Sequence, residues 1–207
     1  MIDTADLVRL IEARAGDSSR YLVAIAGPPA SGKSTIAATL AQAWPDGDAI
    51  VVPMDGFHFD DIVLAERGLS HRKGAPETFD FAGFEVLLKR IRSGEADIAI
   101  PVFDRSIEIA RAGAAIIGAA ARIVIIEGNY LLLDEAPWND LRPLFDLSLF
   151  IAAPRAVLEQ RLVGRWQEHG REAEAARRWI ETNDMPNIDR VLARHLAADL
   201  VVETGDE

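Results

Sequence analysis

The sequence contains no cysteine, and its acidic residues outnumber its basic ones. Without thiols, the 207-residue chain has no disulfide framework, no thiolate metal site and no cysteine nucleophile. The 22 Lys and Arg residues against 33 Asp and Glu residues give a net charge of −11. Nucleic acid or an acidic membrane surface would need a broad basic face, so we expect neither as a partner.

Long apolar runs are missing too. The longest stretch of small and apolar residues, 112–121, ends at Arg122, well short of the roughly 18 residues of a membrane span. The N-terminus carries acids at amphipathic spacing and does not resemble a signal peptide. We therefore expect a cytoplasmic protein that acts on a small molecule and could form a homodimer. Its length suits one domain over 1–207.

The apolar pattern predicts an α/β fold. Continuous apolar strands alternate with helices, which is typical of a parallel sheet with helices on both faces. The predicted strands are 21–26, 49–52, 98–102, 123–126, 147–151 and 200–202. The predicted helices are 3–15, 34–43, 80–92 and 188–197. The segment 53–79 is rich in Gly, Pro, His and charge, and we expect an irregular functional loop there.

The segment GPPASGKST matches the phosphate-binding P-loop pattern G-x-x-x-x-G-K-[ST]. A strand ends before it and a helix begins within it, so backbone N–H groups and a helix N-terminus would meet at one phosphate. Lys33 would reach the β- and γ-phosphates of ATP, and the Ser34 hydroxyl would bind Mg²⁺. The predicted nucleotide ligands are Gly27, Pro28, Pro29, Ala30, Ser31, Gly32, Lys33, Ser34 and Thr35. The alternative is a tight turn that happens to contain a lysine, although a random chain of this length matches only about once in 150.

Two acids follow predicted strands. Asp55 lies just past the second strand, and Glu127 closes the strand 123–126. Ligands of an open parallel sheet bind at the C-terminal strand ends, so both acids should meet the P-loop in one crevice. Phosphoryl transfer to a hydroxyl needs one carboxylate as base and others to hold Mg²⁺. We expect Asp55 to be the base at the acceptor, and we expect Glu127 to be a metal or water ligand that also contacts the acceptor. Either acid could instead cap a turn or pair with an arginine.

Basic side chains in and after the long loop could hold an anionic or polyhydroxylated acceptor. The candidates are His58, Arg72, Lys73 and Arg105. The histidines of this loop do not predict a metal site, because Mg²⁺ prefers oxygen and Zn²⁺ would need more ligands nearby.

Several arginines cluster late in the chain. A small helical lid at about 161–178 would close over the triphosphate, and Arg161 and Arg165 would contact it. Arg165 would also neutralise charge in the transition state. The alternative is a solvated helical face on which acids and arginines form i,i+4 pairs, such as Glu174 with Arg178.

Five segments, in this order, resemble those of one group of P-loop kinases: GPPASGKST, MDGFHF, RGLSHRKGAPETFD, PVFDR and IIEGNYLLL. The group contains type I pantothenate kinase, uridine kinase and phosphoribulokinase. The chain looks most similar to short bacterial members labelled as sugar (fructose) transport system kinases, and the similarity runs over about 21–199. The segment NDMPN at 183–187 also resembles these members.

This resemblance implies a P-loop kinase fold with a lid, and it implies roles for matching residues. Asp55 would be the catalytic base, Lys33 and Ser34 the anchors of ATP and Mg²⁺. Glu127 would lie near the metal and Arg105 in the acceptor pocket. Because the chain is much shorter than type I pantothenate kinase, the family's contacts with pantothenate and coenzyme A do not all transfer. The acceptor-side segments also differ from those of true uridine kinases.

The sequence thus predicts an ATP-dependent kinase that transfers the γ-phosphoryl group to a hydroxyl of a small metabolite. A sugar such as fructose comes first among the acceptors, then pantothenate or a related acid, then a nucleoside. The rival is an NTP-driven regulatory or transport-associated ATPase, but the chain has neither N-K-x-D nor L-S-G-G-Q. A regulator that has lost catalysis would not need Lys33, Ser34 and Asp55 intact.

Overall fold

A five-stranded parallel sheet forms the centre of the structure, a computed structural model that describes residues 3–45, 47–168 and 170–205. Its strands lie in the order β2-β5-β1-β6-β7. The strands are β1 (Tyr21–Ala26), β2 (Ala49–Pro53), β5 (Ile123–Gly128), β6 (Leu147–Ala152) and β7 (Leu200–Glu203). A separate antiparallel hairpin consists of β3 (Ile98–Asp104) and β4 (Ile109–Ile117).

Seven α-helices surround the two sheets in the described part of the chain. They are α1 (Thr4–Ala15), α2 (Lys33–Ala41), α3 (Asp61–Glu66), α4 (Phe81–Arg92), α5 (Arg155–Glu168), α6 (Ala173–Trp179) and α7 (Met185–Ala193). None of these helices is long and apolar enough to cross a membrane.

The alternation of side chains along β1 explains why helices cover both faces of the sheet. Leu22 and Ala24 pack on one face in the cluster that includes α4 residues, whereas Val23 and Ile25 pack on the other face with α1 and α2. All of β1 is buried. A buried strand with two covered faces needs the continuous apolar run that the sequence has there. The predicted α/β architecture is confirmed.

The register of the parallel strands aligns their C-terminal ends. Ala26 of β1 pairs with Gly128 of β5, and Pro53 of β2 pairs with Glu127. The P-loop, the turn after β2 and the end of β5 therefore open at one edge of the sheet.

Three predictions about local structure were wrong. The strand at 98–102 exists, but it belongs to the hairpin and not to the parallel sheet. The stretch 53–79 contains α3 and three 3₁₀ turns, so it is not irregular throughout; Asp60 caps α3 by accepting from the Ile62 amide. The helix predicted at 188–197 begins and ends earlier, as α7.

A small third hydrophobic cluster lies beside the P-loop. It joins α5 to α7 through Leu158, Leu162 and Ile188, and Ala30 of the P-loop packs against it. Between α6 and α7 the chain forms a π-helical turn, Ile180–Asp184. Such turns often occur at functional sites.

Candidate active site

The P-loop runs from the end of β1 into the first turn of α2. Gly27 has φ 152°, and a Cβ there would lie 2.5 Å from the Ile151 carbonyl oxygen, so only glycine fits. Gly32 is left-handed, with φ 92°, at the N-cap of α2. The Lys33 ammonium turns back over the loop and donates to the Pro28 carbonyl at 2.8 Å. Burial lowers the pKa of Lys33 to about 8, although Glu127 and Asp55 oppose the shift.

Ser34 and Glu127 meet across the floor of the site. The Ser34 hydroxyl donates to a Glu127 carboxylate oxygen at 3.2 Å. Glu127 is 7 % exposed, and burial together with the nearby Asp55 raises its pKa. A hydroxyl beside a carboxylate is an oxygen donor pair of the kind that suits Mg²⁺, which usually takes one or two protein ligands and fills its shell with phosphates and water. Among the described residues no cluster of three or more His or acidic side chains forms a closed metal cage.

Asp55 lies in the 3₁₀ turn Met54–Phe57 that follows β2, and its carboxylate forms an ion pair with Arg105 from the turn after β3. Burial would raise the pKa of Asp55, but Arg105, His58 and Lys33 outweigh it and hold the pKa below the ordinary value. The side chain is 22 % exposed, so the ionised carboxylate remains open to a ligand. It has the charge state and the access that a proton acceptor needs.

Arg161 and Arg165 project from α5 toward the P-loop. Arg161 donates to the carbonyls of Ala30 at 3.4 Å and Gly205 at 3.0 Å, and to the Thr204 hydroxyl at 3.3 Å. It therefore ties the P-loop to the chain beyond β7. Arg165 is largely desolvated, and burial lowers its pKa.

Two adjoining cavities define the site. The P-loop cavity, about 270 Å³, includes Gly32, Lys33, Ser34, Thr35, Arg161 and Glu127 in its lining. The side cavity, about 770 Å³, extends from Asp55 past the long loop and the β3–β4 turn to α6 and α7. Residues that line both are Pro29, Asp55, Arg105, Asn129 and Arg165. Asp55 thus lies on the boundary between a phosphate-binding loop and a larger chamber.

Three of the four basic residues predicted to bind the acceptor line the side cavity: His58, Lys73 and Arg105. Asp55 lines it too, whereas Glu127, also predicted to contact the acceptor, lines only the P-loop cavity. Lys73 is paired with Asp61 at 2.8 Å. Arg72 is different, because it pairs with Glu77 at 3.3 Å and is not among the residues that line either cavity. Of the predicted nucleotide ligands, Gly27, Pro28 and Ser31 shape the loop from behind and do not line the P-loop cavity.

His58 is enclosed by aromatic rings. Its ring centroid lies 3.9 Å from that of Phe79 and 5.2 Å from that of Phe103. Burial lowers the pKa of His58 to about 4, so the imidazole is neutral at physiological pH. Its Nδ1 is buried and has no hydrogen-bond partner among the described residues.

The sequence predicted no acceptor contact for six further residues that line the side cavity: Asn129, Trp166, Arg171, Trp179, Asp184 and Asn187. Asn129 follows the end of β5 and could have been found from that position. The others depend on how α5, α6 and the π-helical turn pack, which no local pattern predicts.

In the NDMPN segment, Asn183 is fully buried and donates to the Lys73 carbonyl at 2.7 Å. This bond gives the segment a physical role, because it joins the base of α7 to the long loop.

Several known proteins have sequences similar to this chain. "Uncharacterized protein YggC" of Escherichia coli (strain K12) is 38 % identical over 192 residues, 91 % of this chain and 79 % of that protein. The pantothenate kinase of Myxococcus xanthus (strain DK1622) is 34 % identical over 156 residues. That match covers 70 % of this chain but 49 % of the enzyme, so the chain spans about half of that relative.

A similar solved structure covers the whole fold. The crystal structure of a "putative fructose transport system kinase" from Silicibacter sp. TM1040 has a TM-score of 0.90 and 44 % identity, covering 98 % of this chain and 100 % of that one. The family description "Phosphoribulokinase / Uridine kinase family" matches residues 22–207. The chain belongs to this family, and it is an ATP-dependent P-loop kinase that phosphorylates a hydroxyl group of a small molecule.

Proposed function

We propose that the acceptor is a sugar such as fructose, and that Asp55 removes the proton from its reacting hydroxyl. The observation that carries this assignment is the position of Asp55 on the boundary between the P-loop cavity and the side cavity. A hydroxyl beside Asp55 would therefore face the γ-phosphate held by the P-loop. The pKa of Asp55 below its ordinary value keeps the carboxylate ready to accept a proton.

The transfer itself is a displacement at phosphorus. The acceptor oxygen forms a bond to the γ-phosphorus while the bond from phosphorus to the bridging oxygen breaks, and ADP leaves. The hydroxyl proton passes to Asp55 and then to solvent. Lys33 and Arg165, both near the developing charge, stabilise it electrostatically. Ser34 and Glu127 would hold Mg²⁺, which neutralises phosphate charge when bound.

The lining of the side cavity favours a polyhydroxylated acceptor. Two of its cations are already paired, Lys73 with Asp61 and Arg105 with Asp55. Hydroxyl and amide groups from Ser70, Asn129 and Asn187 offer hydrogen bonds to several hydroxyls at once. The printed name of the Silicibacter relative supports a sugar as well. Arg72 has no part in this proposal, because Glu77 holds it outside the cavity.

The segment 161–178, formed by the second half of α5 and α6, is our candidate for a lid. Leu162 and Trp166 of this segment pack in the third hydrophobic cluster, which is distinct from those on the two faces of the sheet. The side cavity lies between this segment and the long loop. A hinged closure of α5 and α6 would shut both cavities together.

A panel of acceptors in an ADP-release assay tests the proposal. It should include D-fructose and other hexoses, sugar phosphates, sugar acids, D-glycerate, pantothenate and uridine, with Mg²⁺ and ATP held constant. We expect ADP release to depend on a sugar or a sugar derivative, with the phosphorylated product identified by mass spectrometry. If only pantothenate or only uridine is phosphorylated, that compound is the acceptor and the proposal of a sugar is wrong. ADP release that no small molecule stimulates would favour the transport-associated ATPase.

A further inference from the structure

One cation in the wall of the side cavity, Arg171, lies against two aromatic rings and has no direct ion pair with an acid of the described residues. Arg171 lies in the connection between α5 and α6, and its guanidinium carbon is 4.3 Å from the centroid of the Trp166 ring. The same carbon is 4.8 Å from the centroid of the Trp179 ring. Within the described ranges, 3–45, 47–168 and 170–205, Arg171 forms no ion pair.

Trp166 and Trp179 are held in place by contacts of their own. The indole N–H of Trp166 donates to the Asp184 carboxylate at 2.7 Å, and the two indoles meet edge to face with centroids 6.4 Å apart. A guanidinium stacked on a ring keeps its N–H edge free, and that edge matches the two oxygens of a carboxylate or phosphate. Arg171 is therefore oriented before any ligand arrives, which reduces the entropy that binding costs.

The other cations of the side cavity, Lys73, Arg105 and Arg165, are placed differently, and Arg165 lines the P-loop cavity as well. Lys73 contacts the carboxylates of Asp61 at 2.8 Å and Glu108 at 3.7 Å. Arg105 is paired with Asp55 at the boundary with the P-loop cavity. Arg171 lines the side cavity but not the P-loop cavity, so in this structure it lies on the acceptor side of Asp55.

We infer that the acceptor carries an anionic group, a carboxylate or a phosphate, which binds Arg171 in the part of the side cavity that the P-loop cavity does not share. The inference rests on the proposed function, because it assumes that the side cavity holds the acceptor. It narrows the substrate class from sugars in general to their anionic derivatives, the sugar phosphates and sugar acids. Asp184 also lines the side cavity and attracts Arg171 electrostatically, but its carboxylate accepts from Trp166 and forms no direct ion pair with Arg171 in the described part of the chain.

The test is direct binding of matched probes to the full chain with Mg²⁺ and ADP. D-Fructose is compared with D-fructose 6-phosphate, and D-glucose with D-gluconate, by calorimetry and by tryptophan fluorescence. Two of the four tryptophans, Trp166 and Trp179, contact Arg171, so an anion at Arg171 should change their emission. The phosphate and carboxylate probes separate the two sources of the anionic group.

In Arg171→Met we expect the affinity for the anionic probe to fall by about 10- to 100-fold, the usual loss when a charge-assisted hydrogen bond is removed. Affinity for the neutral sugars should not change. Arg171→Lys keeps the charge without the planar fork and should lose less. The matched control is Arg178→Met, on the exposed side of α6, where the arginine pairs with Glu174. It should bind all probes as the wild type does.

The inference is overturned if no anionic probe binds saturably, if the neutral sugars bind as tightly as their anionic partners, or if Arg171→Met binds both classes as the wild type does. Thermal unfolding of each variant checks the fold, and the unchanged neutral-sugar affinity separates a local loss from unfolding. Arg171-dependent binding of an anion without phosphoryl transfer would remove the proposed function and leave only the anion site at Arg171. If neutral sugars are phosphorylated at the same rate by the wild type and by Arg171→Met, the proposed function stands and this inference is wrong.

Discussion

The carboxylate of Asp55 is ion-paired with the guanidinium of Arg105, and the pair joins the two sheets of the protein. Asp55 follows β2 of the parallel sheet, whereas Arg105 follows β3 of the separate hairpin. Both residues line both cavities. The hairpin therefore supplies the charge that holds the pKa of the candidate base low, and it does so at the boundary where an acceptor hydroxyl would meet the γ-phosphate.

Asp55→Asn should separate binding from turnover. The amide keeps the shape of the side chain but cannot take a proton, so we expect kcat to fall by about 10²–10⁴, the usual contribution of a general base. The affinity for ATP, measured by calorimetry, should stay nearly unchanged. Asp104→Asn is the matched control, because this neighbouring acid pairs with Arg111 and lines neither cavity. If Asp55→Asn keeps its turnover, Glu127 becomes the candidate base.

Arg105→Met should move the acidic limb of the kcat/KM profile. Arg105 lowers the pKa of Asp55, so its removal raises that pKa and the base becomes protonated at a higher pH. Activity should then be lost at a higher pH as the solution is acidified. Arg111→Met, in the same hairpin, should leave the limb where it is. An acidic limb that does not move in Arg105→Met would show that the pair does not set the protonation of the base.

His58 should make the fold sensitive to mild acid. Its pKa is about 4 in the folded protein against an ordinary 6.5, so the unfolded chain takes up a proton that the folded chain does not. Stability is therefore lost as the pH falls from about 6.5 to about 4, and the loss between pH 7 and pH 5 should be about 1–2 kcal/mol. Urea unfolding at the two pH values measures it. His58→Phe should reduce this loss, whereas the exposed His71→Gln should not; equal losses in all three proteins would contradict the assignment.

The sequence predicted the structure most reliably where the signal lies in a few consecutive residues. The P-loop lies between a wholly apolar strand and a helix, and the glycines at 27 and 32 are required by local backbone geometry. The sequence also placed Asp55 and Glu127 in one site, because each acid follows a predicted strand and the C-terminal ends of parallel strands lie at one edge of the sheet. Asp80 accepts from the Gly83 amide at 3.0 Å, as expected of the N-cap of α4.

Other features were beyond local patterns. The strand β4, IARAGAAII, is mostly small and exposed, so it lacks the apolar alternation by which strands are found. Its existence depends on pairing with β3, which also removes β3 from the parallel sheet. The contacts of Arg171 with Trp166 and Trp179 depend on the angle between α5 and α6, and tertiary packing alone sets that angle.

Lys33 should take up a proton when nucleotide binds. In the free protein burial lowers its pKa to about 8, and phosphates beside the ammonium would raise it again. At pH 8.5 the phosphates of ADP are already ionised, since their last pKa is about 6. Calorimetry in two buffers of different ionisation enthalpy should therefore detect uptake of a fraction of a proton at pH 8.5 and much less at pH 6.5. Lys33→Ala should lose the uptake together with phosphate affinity and turnover; equal uptake at both pH values would contradict the assignment.

Gly128→Ala should disturb the site through packing alone. A Cβ at Gly128 would lie 2.6 Å from the Met54 Cβ and 2.9 Å from its sulfur, and Met54 directly precedes Asp55. Because Met54 is fully buried, it cannot move away freely, and we expect a loss of about 1–3 kcal/mol in the free energy of unfolding. Turnover should fall as well, since the turn that carries Asp55 must shift. Gly118→Ala is the control, because nothing lies within 4 Å of a Cβ there and its stability should stay within about 0.5 kcal/mol of the wild type. Equal stability and turnover in both variants would show that the contact between Met54 and the end of β5 does not position Asp55.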